Sequence, residues 1–369
     1  MSRTGVLVVN LGTPDEPEYK AVKRYLTEFL MDGRVIDIPF WKRFLLVNGI
    51  IAPFRSRKVA KEYKKLWTRK GSPLLTHGLV LVHKLLQKFD SSPWNVEVEL
   101  AMRYQNPSIE MALKRLRIKG VDELIVFPLF PQYASATTGS VNQKVMEIIS
   151  QWQVIPSIQF LNSYHSHPEF INAFAAKVLG DISQHQPDHV LFSYHGIPER
   201  HLDRIRNESD YCNSACNCSD GEHQQYCYRS ACFHTSKLIA ESIGLETSSY
   251  STSFQSRLGK DPWIQPYTDA TIEELARNGV KNLLVVSPSF VADCLETTLE
   301  IGEEYRDLFL EHGGEKFNFT ESLNTDNHWV EAVFNIISTK YFNTEENRSG
   351  RIFNLADAGN NVLSSTGSV

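Results

Sequence analysis

The 369-residue chain has no uninterrupted apolar run near the roughly 18 residues that a membrane-spanning helix needs. It also lacks any run of lysine and arginine long enough to follow a phosphate backbone. With 38 Lys+Arg against 43 Asp+Glu the net charge is −5, and nucleic acid is excluded as an expected partner. No secretory leader precedes MSRTGVLVVNLG, which runs directly into a strand-like segment, so the expected location is the cytoplasm. Cysteine is scarce, with 6 residues, and five of them crowd between Cys212 and Cys232. In a reducing compartment such crowding favours a metal site over disulfides.

What is present is an ordinary globular composition, 42% hydrophobic and 22% charged, on a chain longer than one core usually supports. Two domains are expected, at residues 1–160 and 161–342, with a cysteine-rich insert at 210–232 in the second. Residues 343–369, rich in Asn, Gly, Ser and Thr, read as a disordered tail.

Residues 5–11, GVLVVNL, form a buried strand, and Gly12-Thr13-Pro14 turn out of it. Helical spacing follows over about 18–30, 57–67 and 76–89, and VEVELAMRY at 96–104 is a strand. The stretch from Ile38 to Phe54, with Phe40, Trp41, Phe44, Leu45 and Ile50, reads either as a bent helix covering the core or as the lip of an apolar pocket. Such stripes more often cover a core.

An internal echo then sets the architecture. Residues 107–130 order an amphipathic helix, Gly120, a strand and Pro128; residues 269–290 repeat that order with Gly279 and Pro288. The strand ending at Leu11-Gly12 is echoed by the one ending at His195-Gly196. The class is therefore α/β, with two similar doubly wound domains facing each other across a cleft.

The stretch at 188–200, DHVLFSYHGIPER, is central. A short apolar run ends abruptly at His195-Gly196, and Ile197-Pro198 interrupts any continuing ladder. The histidine is thus held at the carboxyl end of a central strand, where open α/β sheets place ligands. Beyond Pro288, Glu296, Glu300, Glu303 and Asp307 recur at spacings that put four carboxylates on one face of a helix. Such a row is either a solvated face or an attractor for a hard cation. In the second case a neutral imidazole and a carboxylate suit borderline Fe²⁺ and can also accept protons near neutral pH.

GVLVVNLGTPDEP, FPLFPQYASATTGS, LFSYHGIPER, FQSRLGKDPWIQPYTD and PSFVADCLETTLEI together resemble the ferrochelatases, in one order over about residues 5–320. The resemblance implies two flavodoxin-like domains with four-stranded parallel sheets around a porphyrin cleft, and a lyase that inserts ferrous iron, its substrate, into protoporphyrin IX to form protohaem. It implies iron on the pathway bound by His195 and Glu296, with Glu300 assisting proton or iron transfer. It places Leu11, Arg34, Tyr63, Ser72, Tyr133, Thr138, Ser140 and Trp263 on the porphyrin. Cys294 stands where some relatives carry histidine, so no second histidine path is available there.

Cys212, Cys216, Cys218 and Cys227 are spaced densely enough for a four-thiolate site, [2Fe–2S] or zinc, and by resemblance to some microbial members a [2Fe–2S] cluster is the expectation. Cys232 reads as a packing residue. Two other functions compete: a chelatase for coproporphyrin or cobalt, and a non-catalytic tetrapyrrole or metal carrier on the same fold. Peripheral membrane contact at the Phe40–Phe54 region is a further expectation.

Overall fold

The computed structural model describes residues 2–208, 226–257, 259 and 261–342. The expected tail, most of the cysteine insert and the thiols Cys212, Cys216 and Cys218 lie outside them.

Among the described residues there are eight strands: β1 (Thr4–Gly12), β2 (Val96–Tyr104), β3 (Glu123–Pro128), β4 (Ser157–Phe160), β5 (His189–His195), β6 (Tyr250–Gln255), β7 (Asn282–Val286) and β8 (Lys316–Phe319). They form two all-parallel sheets of four, ordered β2-β1-β3-β4 and β6-β5-β7-β8. The two orders are the same, which is the structural counterpart of the sequence echo. In each sheet the chain leaves the inner strand in one direction and later returns on its other side, so a crevice opens beyond the ends of β1 and β3, and of β5 and β7.

The inner strands are apolar on both faces because helices cover both. Val6, Leu7, Val8 and Val9 have no exposed surface, and neither do Leu191, Phe192 and Tyr194. Gly12 ends β1 at φ +121, and a Cβ there would lie 2.1 Å from the carbonyl oxygen of Tyr104. Only glycine permits β1 and β2 to close up at this point. β6 went unforeseen: YSTSFQ has no apolar run, and as an edge strand it does not need one.

A single buried cluster runs from Val6 and Val8 through Phe127 and Phe192 to Trp329 and Tyr341. The helix Asn327–Tyr341 joins the halves, packing on the helices Pro168–His185 and Pro73–Asp90. Phe334 meets Phe89 there at 4.9 Å between ring centroids.

The aromatic stretch after Ile38 does not cover the core. Helix Phe40–Leu45 continues through a π-helical turn, Leu46–Ile51, into helix Ala52–Leu66. Phe40, Trp41, Phe44, Leu45, Ile50 and Phe54 are each at least half exposed, whereas Val47 and Ala52 are the residues that turn inward. The extra residue in the π turn breaks the helical period on which the covering reading relied. Among the described residues no helix is long and apolar enough to cross a membrane.

Candidate active site

His195 is the last residue of β5. Its Nδ1 lies 2.6 Å from the carbonyl oxygen of Gly196. A carbonyl can only accept, so Nδ1 carries a hydrogen and, whenever the ring is neutral, Nε2 is the nitrogen with the lone pair. Trp263 and Phe290 flank the ring at centroid distances of 6.5 and 6.3 Å. The hydrogen bond at Nδ1 thus orients the ring and leaves Nε2 as the nitrogen that could accept a proton or a metal.

The loop after β7 supplies the carboxylates. Asp293 fastens this loop to the segment after β8: its Oδ1 accepts from the N–H of Ser322 at 3.1 Å and its Oδ2 from Asn324 at 2.6 Å. Glu296 then opens a π-helix, Glu296–Tyr305, where the sequence pattern predicts an ordinary helical row. The wider turn parts the four carboxylates. Glu303 faces solvent and pairs with Lys65 at 2.8 Å, and Asp307 pairs with Arg306. Glu300 turns inward, where it accepts from the hydroxyl of Tyr305 at 3.0 Å and from that of Ser256.

Ser256 has φ +63, a left-handed conformation that costs a serine about 1–3 kcal/mol and that here delivers its hydroxyl to Glu300. Burial pushes the Glu300 carboxyl above the ordinary glutamate value; the hydrogen bond from Ser256 and the charge of His195 oppose that, while Glu296 reinforces it. One buried carboxyl thus senses both the imidazole and the other glutamate. Among the described residues no group of three or more His, Cys, Asp or Glu side chains is arranged to hold a metal.

The first half contributes an apolar and phenolic wall. Leu11, at the end of β1, packs in one cluster with Tyr25, Tyr63, Trp67 and Leu295. Burial, followed by the charge of Glu296, raises the phenol of Tyr25, and burial with the same charge raises Tyr63. Burial and then Glu296 also raise the thiol of Cys294. All three groups remain neutral beside the carboxylate. The wall, and not the exposed Lys65–Glu303 pair, holds the halves together here, since each large apolar side chain buried is worth about 1.5–3 kcal/mol.

The porphyrin residues expected by resemblance divide into two sets. Arg34, Tyr133, Leu11 and Trp263 are partly exposed. A Cβ on Gly139 would sit 3.2 Å from both the Arg34 guanidinium and the Tyr133 hydroxyl, so those two side chains adjoin. Tyr63, Ser72, Thr138 and Ser140 are buried. Ser72 accepts from Thr13 at 2.9 Å, and Ser140 donates to Asp32 while accepting from Arg103 at 2.7 Å. Their hydroxyls serve the protein's own interior; spacing along the chain carried no sign of this.

Asp32 is the functional neighbour that sequence reasoning missed. Burial opposes its charge, yet Ser140, the N–H of Arg34, Arg103 and Tyr104 outweigh that and hold the carboxyl below its ordinary value. It thereby fixes the backbone from which Arg34 reaches Ser135 at 2.7 Å and Gln143 at 2.6 Å.

Of the proposed cluster ligands only Cys227 is described; it is buried immediately before the helix Tyr228–Ser242. Cys232 is fully buried within that helix and its thiol is raised by burial, which fits packing. An open cavity of about 650 Å³, lined by Tyr19, Lys20, Lys23, Arg24, Thr27, Glu28 and Gln105, contains none of the residues above.

Comparison with known proteins gives a consistent result. A family model described as Ferrochelatase matches residues 3–341. Ferrochelatase of Legionella pneumophila (strain Lens) is 44% identical over 339 residues, covering 92% of this chain and all of the relative. Ferrochelatase 2 of Shewanella oneidensis is 41% identical over 336 residues, covering 91% and 97%. Ferrochelatase of Coxiella burnetii (strain Dugway 5J108-111) is 42% identical over 333 residues, covering 90% and 92%. Among solved structures, SirB from Bacillus subtilis with Fe3+ superposes with a TM-score of 0.54 at 12% identity, over 93% of this chain and 98% of that one, which speaks to fold alone.

The raised Glu300 carboxyl has a measurable consequence. At low pH the folded and unfolded chains both hold its proton. As pH rises the unfolded carboxyl ionises first, so folding loses stability from the ordinary glutamate range up to the raised folded value, and the loss persists above it. Glu300→Gln is expected to melt at a higher temperature than the parent at pH 7 and to lose that advantage below about pH 4. A variant less stable than the parent at pH 7 would show that the carboxylate form is the favoured one.

Proposed function

The chain belongs to the ferrochelatase family, and from that premise we propose that His195 is the group that takes protons from the porphyrin nitrogens while Glu296 and Glu300 manage iron and proton traffic beside it. The protein is a metal chelatase that inserts ferrous iron into protoporphyrin in haem synthesis. The observation that carries the residue assignment is the hydrogen bond from Nδ1 of His195 to Gly196, which leaves Nε2 as an acceptor at the end of β5.

The chemistry constrains the roles. Replacing two pyrrole protons by one Fe²⁺ releases two protons, and a dication must approach nitrogens that are still protonated. A base that is neutral before the reaction, adjoined by carboxylates, serves both needs. Nε2 of His195 accepts a pyrrole proton. Glu300, whose buried carboxyl favours the protonated form, passes protons on through its hydrogen bonds with Ser256 and Tyr305. Glu296, next to Cys294 and the phenols, meets the incoming iron. Distortion of the macrocycle, drawn from remote contacts worth about 1–5 kcal/mol, exposes the nitrogen lone pairs. Arg34 and Tyr133 suit a propionate, and Leu11 and Trp263 suit the ring faces.

A four-thiolate cluster would draw on Cys227 and on cysteines beyond the described residues, and no step here depends on it. The exposed lip supports contact with a membrane surface: six large apolar side chains stand among the exposed Lys42, Arg55, Arg57 and Lys58, an arrangement that suits apolar insertion beside anionic headgroups.

His195→Ala is expected to abolish insertion of Fe²⁺ into protoporphyrin under anaerobic conditions, while quenching of protein fluorescence still reports porphyrin binding. Retained turnover would remove the assignment, and a parent protein that binds both substrates without forming haem would be a carrier. For the lip, cosedimentation with vesicles containing anionic lipid should fall in a Trp41→Ser/Phe54→Ser variant of unchanged melting temperature. Equal cosedimentation would dismiss the membrane contact.

A further inference from the structure

His195 stands beyond the last residue pair that β5 makes with β7, Phe192 with Val286. On the other side the ladder continues, and the N–H of Gly196 bonds the carbonyl of Gln255 at 2.7 Å. Successive residues of a parallel strand direct their backbone groups to opposite sides, so those of His195 point to where β7 has already ended. Buried backbone groups without a strand partner need another one.

Two side chains provide it. The hydroxyl of Tyr228 donates to the carbonyl oxygen of His195 at 2.8 Å, and the N–H of His195 donates to Ser289 Oγ at 3.4 Å. The Tyr228 phenol also lies close enough to Ser289 and to the thiol of Cys232 for each to shift its ionisation. Tyr228 is 6% exposed, follows Cys227 directly and begins the helix on which the cysteine-bearing connection ends. On the other side of Cys227, the ring of Tyr226 stands edge-on to that of Tyr133, 5.2 Å away.

We infer that Tyr228 and Ser289 form a backbone clamp that positions His195. The inference rests on the reading of His195 as the base. Because Nδ1 is bound to the carbonyl of the very next residue, a small rotation of the strand end carries the whole ring with it. Nε2 would then miss the porphyrin nitrogens. Neither hydroxyl needs to touch substrate, so both are positioning residues.

The test compares Tyr228→Phe, which keeps the ring and its packing, with Ser289→Ala and Ser289→Thr. In Tyr228→Phe and Ser289→Ala, kcat for Fe²⁺ insertion is expected to fall about ten- to a hundred-fold, since small misplacements of a reacting group have effects of that order. The KM for protoporphyrin and the melting temperature should stay near the parental values, and Ser289→Thr, which keeps a hydroxyl, should recover most of kcat. Parental kcat in both hydroxyl-deleted variants would overturn the clamp. So would a joint fall of kcat, porphyrin affinity and melting temperature, which marks a merely structural role. If Tyr228→Phe fails to fold, the Ser289 pair decides alone. Turnover in His195→Ala would sink the functional reading itself, whereas an inactive His195→Ala beside fully active clamp variants would sink only this inference.

Discussion

The arrangement depends on one topological constraint, used twice: a parallel sheet whose chain reverses its direction of travel beside the inner strand must leave a crevice past that strand's end. β1 and β5 are those strands, and their last residues, Leu11-Gly12 and His195-Gly196, occupy corresponding places. Most groups proposed for the chemistry lie on a segment leaving an inner strand or its neighbour: the imidazole on β5, the carboxylates after β7, Ser256 after β6, Tyr133 after β3; Arg34 is the exception, following the helix Tyr19–Leu30. The helices supply the apolar surface that keeps these ends rigid. Rigidity matters because both proton transfer and metal insertion tolerate little displacement of the acting group.

The duplication of the fold does not extend to its chemistry. The first half ends its inner strand on a leucine and surrounds it with tyrosines, whereas the second ends on histidine beside glutamates. A macrocycle between them would meet an apolar, neutral wall on one face and bases on the other. The phenols and the Cys294 thiol are driven away from ionisation by burial and by Glu296 itself.

Much of this was legible in the sequence because the signals are local. A strand buried on both faces reads as an unbroken apolar run, and the helix–glycine–strand–proline echo announced two similar sheets before any coordinates. His195 was legible because Gly196 and Pro198 end its strand. What escaped has a common physical cause: dependence on long-range pairing or on a broken period. The π-helix at Glu296–Tyr305 has ordinary helical composition, so the divergence of Glu300 from Glu303 and Asp307 could not be read from spacing. That Ser72 and Ser140 bond Thr13 and Asp32 depends on pairing between distant segments and could not be read from spacing. The Phe40–Phe54 stripe has the composition of a core helix and faces outward. Tyr228 carries no local signal at all, since its role comes from a carbonyl 33 residues away.

The central claim is the proposed convergence of His195, from β5, with Glu296 and Glu300, both from the π-helix Glu296–Tyr305, on one substrate. Anomalous diffraction at the iron edge, from anaerobic crystals soaked with Fe²⁺, tests it most directly. The account predicts a peak within coordination distance of Nε2 of His195 and of a Glu296 oxygen, on the side of the cleft opposite Leu11. Iron bound reproducibly elsewhere in the cleft, with Nε2 of His195 turned away from it, would contradict it.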